Sequence, residues 1–465
     1  MEEGINGLRL TPYGGAGQVT GSNFLIEGAR GKILVDCGVE QGKDYCESCS
    51  FDDFPYDVPS IDALVITHAH LDHVGRAPRL MKYGFKGTAY MTAPTRDLAE
   101  LIMRDSAHIL AQSAQKRGLA PLYDDKDVDA FLARIETIPY REEREMAPGL
   151  FVLLRDTGHI LGSASVRIRT EDGTALAITS DLGGSPTPLL PDAEPIPDAD
   201  VVLIESVYGD RQNPEREHRV PLLRDTLKKA IARGGAILIP SFSIERTQLM
   251  LYEIGKLMES NELPTVPIYL DSPLAINVTA VYKKWGSQFF KEEAKKELAH
   301  EHDLFTFPFL KLTKDREESE LIGRAQNPKI IIAGAGMSHG GRIGKWEQKY
   351  LPEPDTTLIM VGYQAPGSPG RVLQDGAKRV TIEHNEVKVR AKVETMHGWS
   401  GHADRDGLLA YAETCLPRTK TFLVGLGEPA SARFLAQRIH DFLGTRAVVL
   451  AKGETIQITK DGIQR

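Results

Sequence analysis

His68, His70, Asp72 and His73 fall within six positions as His-x-His-x-Asp-His. Three imidazoles and a carboxylate in so short a span are ligands for a borderline-soft divalent ion such as Zn²⁺. A single loop histidine needs no such role, but chance produces the whole pattern in a chain of this composition only about once in a thousand. The pattern follows the apolar run Ala-Leu-Val-Ile at 63–66, which reads as a buried strand. Gly75, Arg76 and Ala77 then open as a helix. The four side chains are therefore expected on a loop at the carboxyl end of a strand, anchored on one side and open on the other.

Three more residues carry the same chemistry. His159 stands in Asp-Thr-Gly-His after a predicted strand at 151–154, and Asp181 stands in Thr-Ser-Asp-Leu-Gly after one at 175–178. His402 lies far along the chain in Ser-Gly-His-Ala-Asp. Seven candidate ligands exceed what one tetrahedral zinc takes, so two metals sharing one bridging carboxylate are the economical reading. Cys46 and Cys49 form a C-x-x-C with no second pair and read as loop residues. A glycine-rich turn at 14–21 with Asp36 beyond it imitates a dinucleotide site, but its spacing is wrong and a strand follows where a helix is required.

Positioning such a site takes a sizeable scaffold. The 465 residues call for two or three domains, and 41% hydrophobic with 26% charged residues describes a globular protein in water. A formal charge of −8 argues against a broad basic surface, while leaving room for a locally positive cleft. Four cysteines, an acidic start without an apolar leader, and no apolar run of membrane-spanning length lead to the expectation of a cytoplasmic protein without membrane contact. Strands are expected at 8–13, 23–27, 31–36, 151–154, 164–168 and 175–178, with 95–145 mainly helical. From 208 to 380 the pattern alternates: strands at 235–240, 267–270, 329–333 and 358–361, with helices at 245–258 and from 282 to about 300. That rhythm implies an α/β unit on a parallel sheet. Strands at 387–393, 421–424 and 456–458 follow.

The set Asp36, His68, His70, Asp72, His73, His159 and Asp181 resembles the metallo-β-lactamase fold. Glu205 in Ile-Glu-Ser-Val-Tyr-Gly-Asp-Arg and His402 in its own motif are similar to the added motifs of the β-CASP nucleic-acid-processing branch. Residues 240–248 and 334–342 resemble that branch as well. The branch includes the endonuclease subunit of the cleavage and polyadenylation specificity factor and bacterial RNase J. The resemblance implies an α/β protein, a four-layer αββα metallo-β-lactamase domain formed by 1–207 and 381–465, with a β-CASP domain at 208–380 inserted on a mostly parallel sheet. It implies two Zn²⁺ per chain, the first on His68, His70 and His159, the second on Asp72, His73 and His402, with Asp181 bridging. Asp72, Glu205 and His402 would be catalytic, Glu205 by orienting His402, and Asp36 would brace the ligand loop from behind. A hydroxide shared by the ions would hydrolyse RNA phosphodiester bonds, endonucleolytically on single strands.

In the inserted domain, Gly336, Ser338, Gly340 and Gly341 precede a helix expected at Arg342 and form a backbone nest suited to phosphate, with Arg246 and Arg342 as further phosphate ligands. The chain departs from the family in three places. Val372 stands where relatives of the eukaryotic endonuclease carry a histidine proposed as proton donor, Val-Gly-Leu-Gly-Glu-Pro at 424–429 replaces Val-His-Gly-Glu-Pro, and Ala335 replaces a serine. His384 and His397 are the candidate substitutes for the missing donor. Two other functions stay open at this stage: hydrolysis of a small ester or thioester, and a non-catalytic RNA-binding scaffold. The sequence also leaves a homodimer open.

Overall fold

The structure, a computed structural model, describes residues 7–42, 46–365 and 367–464. The acidic start on which the absence of a leader was read lies outside the described residues. Two compact units divide the chain: one takes the residues up to Gln41, Cys46–Gln212 and those from His402 onward, and the other is chiefly Asn213–Gly401.

The first unit is built on two mixed sheets. One has the strand order Gly462–Gln464, Ile456–Thr459, Leu8–Gly14, Asn23–Glu27, Lys32–Val35, Ala63–Val65, Thr88–Met91 and Ile135–Thr137. The other runs Arg446–Val449, Thr421–Gly425, Val201–Glu205, Ala175–Ile178, Ala164–Thr170, Leu150–Asp156 and Arg144–Ala147. One core joins their inner faces, with Leu10, Phe24, Ile33, Val35 and Val65 from the first sheet meeting Val152, Ile168, Ile178 and Leu203 from the second. Because side chains alternate along a strand, Leu34 and Leu64 point the other way, yet they are also fully buried. Outer helices supply that cover: Ala93–Lys116 buries Leu98, Met103 and Leu110, and Pro429–Leu443 packs Leu435 and Ile439 against Val202, Phe422 and Val424. The four layers expected from the sequence are therefore present.

The second unit has one six-stranded sheet in the order Leu310–Leu312, Ile268–Leu270, Lys329–Ala333, Ala236–Pro240, Thr357–Met360 and Lys392–Thr395, and every pairing in it is parallel. Its central strands are continuous apolar runs such as Ile330, Ile331 and Ile332, buried on both faces as a helix-covered parallel sheet demands.

Three sequence readings need correction. The helical reading of 95–145 overran: Ala93–Lys116 and Asp125–Leu132 are helices, but Ile135–Thr137 and Arg144–Ala147 are edge strands whose half-exposed polar residues hide the period of two. The helix expected from 282 begins nine residues earlier, at Pro273, where the Ser272 side chain caps it by accepting from Ala275 N–H at 3.2 Å. The stretch 387–393 is divided between two strands, Asn385–Lys388 in a hairpin with Arg379–Ile382 and Lys392–Thr395 beside Thr357–Met360. That last pairing lies within the second unit, which runs to Gly401.

Candidate metal centre

Every residue of the centre lies in the first unit, on segments that leave the ends of its strands. Thr67–His70 follows strand Ala63–Val65, and His70 leads into a short helix, Leu71–Val74, that carries Asp72 and His73. Asp36 follows Lys32–Val35 with a left-handed φ of 60° and is 1% exposed. Its carboxylate organises the whole loop. Oδ1 accepts from Thr67 N–H at 2.8 Å, and Oδ2 accepts from Thr67 Oγ1 at 2.9 Å and from Ser22 Oγ at 2.9 Å. Oδ2 also lies 2.7 Å from His73 Nδ1, which sets that imidazole to present Nε2 inward.

His159 and Asp181 arrive from the second sheet. Gly158 has φ 63°, and a side chain there would run into the carbonyl of Pro191, so the turn that aims His159 requires glycine. His159 N–H donates to Ser163 Oγ at 3.2 Å. Asp181 follows strand Ala175–Ile178, and neighbouring Ser180 shares a 2.7 Å hydrogen bond with Thr67. These hydroxyls at 22, 67 and 180 were missed in the sequence; the one available signal was a threonine directly before the histidine motif.

The ligand atoms converge. His70 Nδ1 lies 3.1 Å from His68 Nε2 and 3.2 Å from His159 Nε2. Asp181 Oδ2 lies 3.5 Å from His68 Nε2 and 3.4 Å from His159 Nε2. Zinc–nitrogen bonds of about 2.0–2.1 Å at tetrahedral angles hold neighbouring ligand atoms about 3.3–3.4 Å apart, so these four donors have the spacing of one zinc sphere. The same Asp181 oxygen lies 3.6 Å from His73 Nε2, and Asp72 Oδ2 lies 3.9 Å from that nitrogen. His73 Nε2 is buried without a hydrogen-bond partner. A buried imidazole nitrogen facing two carboxylate oxygens just beyond hydrogen-bond reach is a donor suited to a cation.

His402 enters by another route. It pairs with Gly183 in an isolated antiparallel bridge, and Ala403 N–H donates to Leu182 O at 2.8 Å. Its Nδ1 lies 3.3 Å from Oε1 of Glu205, a fully buried carboxylate that also accepts from Leu182 N–H at 2.6 Å. Among the described residues, two clusters bring ligand atoms within 4.8 Å of one another: His68, His70, His159 and Asp181, and Asp181, Glu205 and His402. The expected partition grouped His402 with Asp72 and His73. The structure brings it beside Glu205 and Asp181, the bridge to Gly183 tying it to the Asp181 loop.

The electrostatics favour a cation. Burial pushes the Asp181 carboxyl up, against the pull of His73 and His402. Burial holds His68 well down, as a neutral imidazole. His73 is pushed up to about 10, since burial is outweighed by the carboxylates of Asp181 and Asp36. The carboxylates thus draw positive charge to this point, where His73 holds a proton that a bound divalent ion would displace.

The residues expected to grip phosphate lie in the second unit. Gly340 and Gly341 have φ of 84° and 68° and lead into helix Gly341–Tyr350. Gly336 packs on the Phe242 ring, and Arg246 opens helix Arg246–Glu259 as a buried residue. Two of the set have other engagements. Ser338 Oγ donates to buried Glu347 at 2.6 Å. Arg342 Nη1 donates to Asp271 at 2.6 Å and to Thr313 O at 3.1 Å, while its Nη2 reaches Lys314 O at 2.8 Å. Asp271 is fully buried and also accepts from Trp346 Nε1 at 2.8 Å, so Arg342 is drawn back onto the sheet rather than presented to a phosphate. Val372 is exposed on helix Pro369–Gln374, His384 sits in the turn between Arg379–Ile382 and Asn385–Lys388, and His397 opens the short turn His397–Trp399.

Comparison with known proteins gives a consistent answer. Residues 16–241 match the metallo-beta-lactamase superfamily, 247–373 match the Beta-Casp domain, and 386–450 match the Zn-dependent metallo-hydrolase RNA specificity domain. The chain is 35% identical over 406 residues to ribonuclease TTHA0252 of Thermus thermophilus, covering 87% of this chain and 91% of that one. It is 34% identical over 462 residues to the transcription termination factor FttA of Pyrococcus horikoshii, covering 95% and 70% respectively. In fold it is similar to a crystal structure of a protein of unknown function from Enterococcus faecalis, with a TM-score of 0.54 at 12% identity over 97% of this chain and all of that one.

Proposed function

We propose that this chain, which belongs to the β-CASP branch of the metallo-β-lactamase superfamily, is a di-zinc ribonuclease that cuts single-stranded RNA internally. The observation that carries the reading is Asp181 Oδ2, one oxygen within 3.4–3.6 Å of three imidazole nitrogens from two ligand sets. His68, His70, His159 and Asp181 would hold one ion; Asp72, His73 and the same Asp181 would hold the other. Bound zinc would supply a water that is nucleophilic at neutral pH and would offset charge on the phosphate oxygens.

The chain's own residues do the rest. Asp36 fixes the tautomer of His73 through Nδ1 and holds the loop through Thr67. Glu205 fixes His402 through Nδ1, leaving its other ring nitrogen to face the reacting phosphate. In that place His402 positions the substrate and moves a proton to the leaving ribose oxygen, a role for which neither Val372 nor position 426 has a titratable group. The backbone around Gly336, Gly340 and Gly341, with Arg246, would receive phosphates of the strand. Similarity to transcription termination factors supports a second reading, in which the cut serves to end transcription.

Metal analysis with digestion of end-labelled RNA tests the proposal. Two zinc ions per chain and internal cuts leaving 5′-phosphate and 3′-hydroxyl ends are expected. Thioester hydrolysis without RNA cleavage would replace this reading with a small-substrate hydrolase. Inactivity on both with metal bound would replace it with a scaffold.

A further inference from the structure

Strand Val201–Glu205 ends at the carboxylate that holds His402, and the chain turns sharply after it. The turn is built to be rigid. A side chain at Gly209 would meet Leu435 Cβ and Ser431 O, each at 2.9 Å, and Ser431 Oγ donates to Ser206 O at 2.6 Å. Arg211 N–H closes the turn on Tyr208 O at 3.2 Å, and Arg211 O accepts from Arg405 N–H at 3.0 Å. Two side chains are fixed by this frame. The half-buried Tyr208 ring stands with its centroid 6.1 Å from that of His402 at an interplanar angle of 70°. The Arg211 guanidinium carbon lies over the Tyr208 ring, 5.8 Å from its centroid.

Arg211 has its hydrogen-bonding edge turned to Asp210, with Nε 2.8 Å from Oδ1 and Nη2 3.1 Å from Oδ2. An arginine paired in this way is poorly disposed to fork onto a phosphate, but its planar face remains a stacking surface, and its side chain is 53% exposed. An aromatic ring beside a guanidinium plane is the combination on which single-stranded nucleic acids stack their bases. Its position beside His402 places it next to the metal centre. We propose that Tyr208 and Arg211 form a stacking platform for the nucleobase adjoining the scissile phosphate. The platform recognises a planar base and rests on the ribonuclease reading above.

The test uses metal-loaded full-length protein and a short single-stranded RNA whose cleavage position has been mapped, together with copies carrying one abasic nucleotide on either side of it. Tyr208→Ala should lower kcat/KM by about tenfold or more, mainly through KM, with zinc content unchanged. Tyr208→Phe should recover most of the loss, because the ring rather than the hydroxyl is used. On the RNA abasic at the stacked position, wild-type protein should show the same deficit, and Tyr208→Ala should add little to it. Penalties that multiply, a Tyr208→Phe variant as poor as Tyr208→Ala, or zinc lost from Tyr208→Ala would each overturn the platform while leaving the ribonuclease reading intact. Wild-type protein that cleaves no RNA would overturn both.

Discussion

Replacing Asp36 with asparagine separates the stability of the ligand loop from its affinity for metal. The carboxylate accepts from Thr67 N–H, Thr67 Oγ1 and Ser22 Oγ and faces His73 Nδ1, all between 2.7 and 2.9 Å. An asparagine of nearly the same shape keeps its carbonyl oxygen on Thr67 N–H, which cannot move. Its amide NH₂ then takes the Oδ2 position, where its two N–H groups can serve Ser22 Oγ and His73 Nδ1, while the Thr67 hydroxyl turns to Ser180 Oγ, 2.7 Å away. Two charge-assisted hydrogen bonds become neutral and the Thr67 hydroxyl contact is exchanged for Ser180, so the loss in folding stability should be roughly 2–4 kcal/mol. His73 has no such freedom. Facing an NH₂, its Nδ1 must become the acceptor, which moves the ring proton to Nε2, the atom that faces Asp72 and Asp181. A protonated nitrogen cannot ligate, so zinc affinity at that position should fall about 10–100-fold, the range typical of a lost carboxylate–histidine contact. Zinc titration against a competing chelator, with cleavage rates at the same free zinc, gives the readout. Asp36→Asn should show one affinity near wild type, one much weaker, and activity recovered at high zinc. Two wild-type affinities would show that Asp36 does not set the tautomer of His73, and the reasoning would fail.

Four further outcomes are expected. Chelation should stop cleavage and lower Tm, and zinc should restore both, since an ion that binds only the folded chain stabilises it by mass action; Tm unmoved by chelation would argue against these ligands. His402→Ala should reduce single-turnover cleavage by about two orders of magnitude or more while Tm stays within a few degrees; near-wild-type rates would remove it from the chemistry. Asp271→Ala should destabilise the second unit by roughly 3–5 kcal/mol, because Arg342 and Trp346 lose their shared acceptor, and this is read as a lower urea midpoint. Burial pushes Glu347 up to about 8 from an ordinary value of 4.5, against the Ser338 hydrogen bond. The folded chain then keeps a proton that the unfolded chain releases, so stability should fall as pH rises from about 4.5 to about 8, and Glu347→Gln should flatten that slope in urea titrations.

Much of the centre was legible in the residues alone. The six-residue motif declares a metal because ligand identity is a property of side-chain chemistry, and its spacing after an apolar run places it at a strand end. The parallel sheet was equally open to reading, since runs such as 329–333 must be buried on both faces. Short edge strands were not: Ile135–Thr137 and Arg144–Ala147 bury few side chains, so they carry little hydrophobic period to distinguish them from the helices before them. What only the tertiary structure decided is where side chains point. His402 could be assigned to the centre from its motif, but its pairing with Glu205 spans 197 positions and is set by the Gly183 bridge. Arg342 has the chemistry of a phosphate ligand, yet a buried aspartate 71 positions away claims its guanidinium. Residue type sets what a side chain can bind, and the packing of distant segments, through the lower cost of satisfying buried charge first, sets which partner it meets.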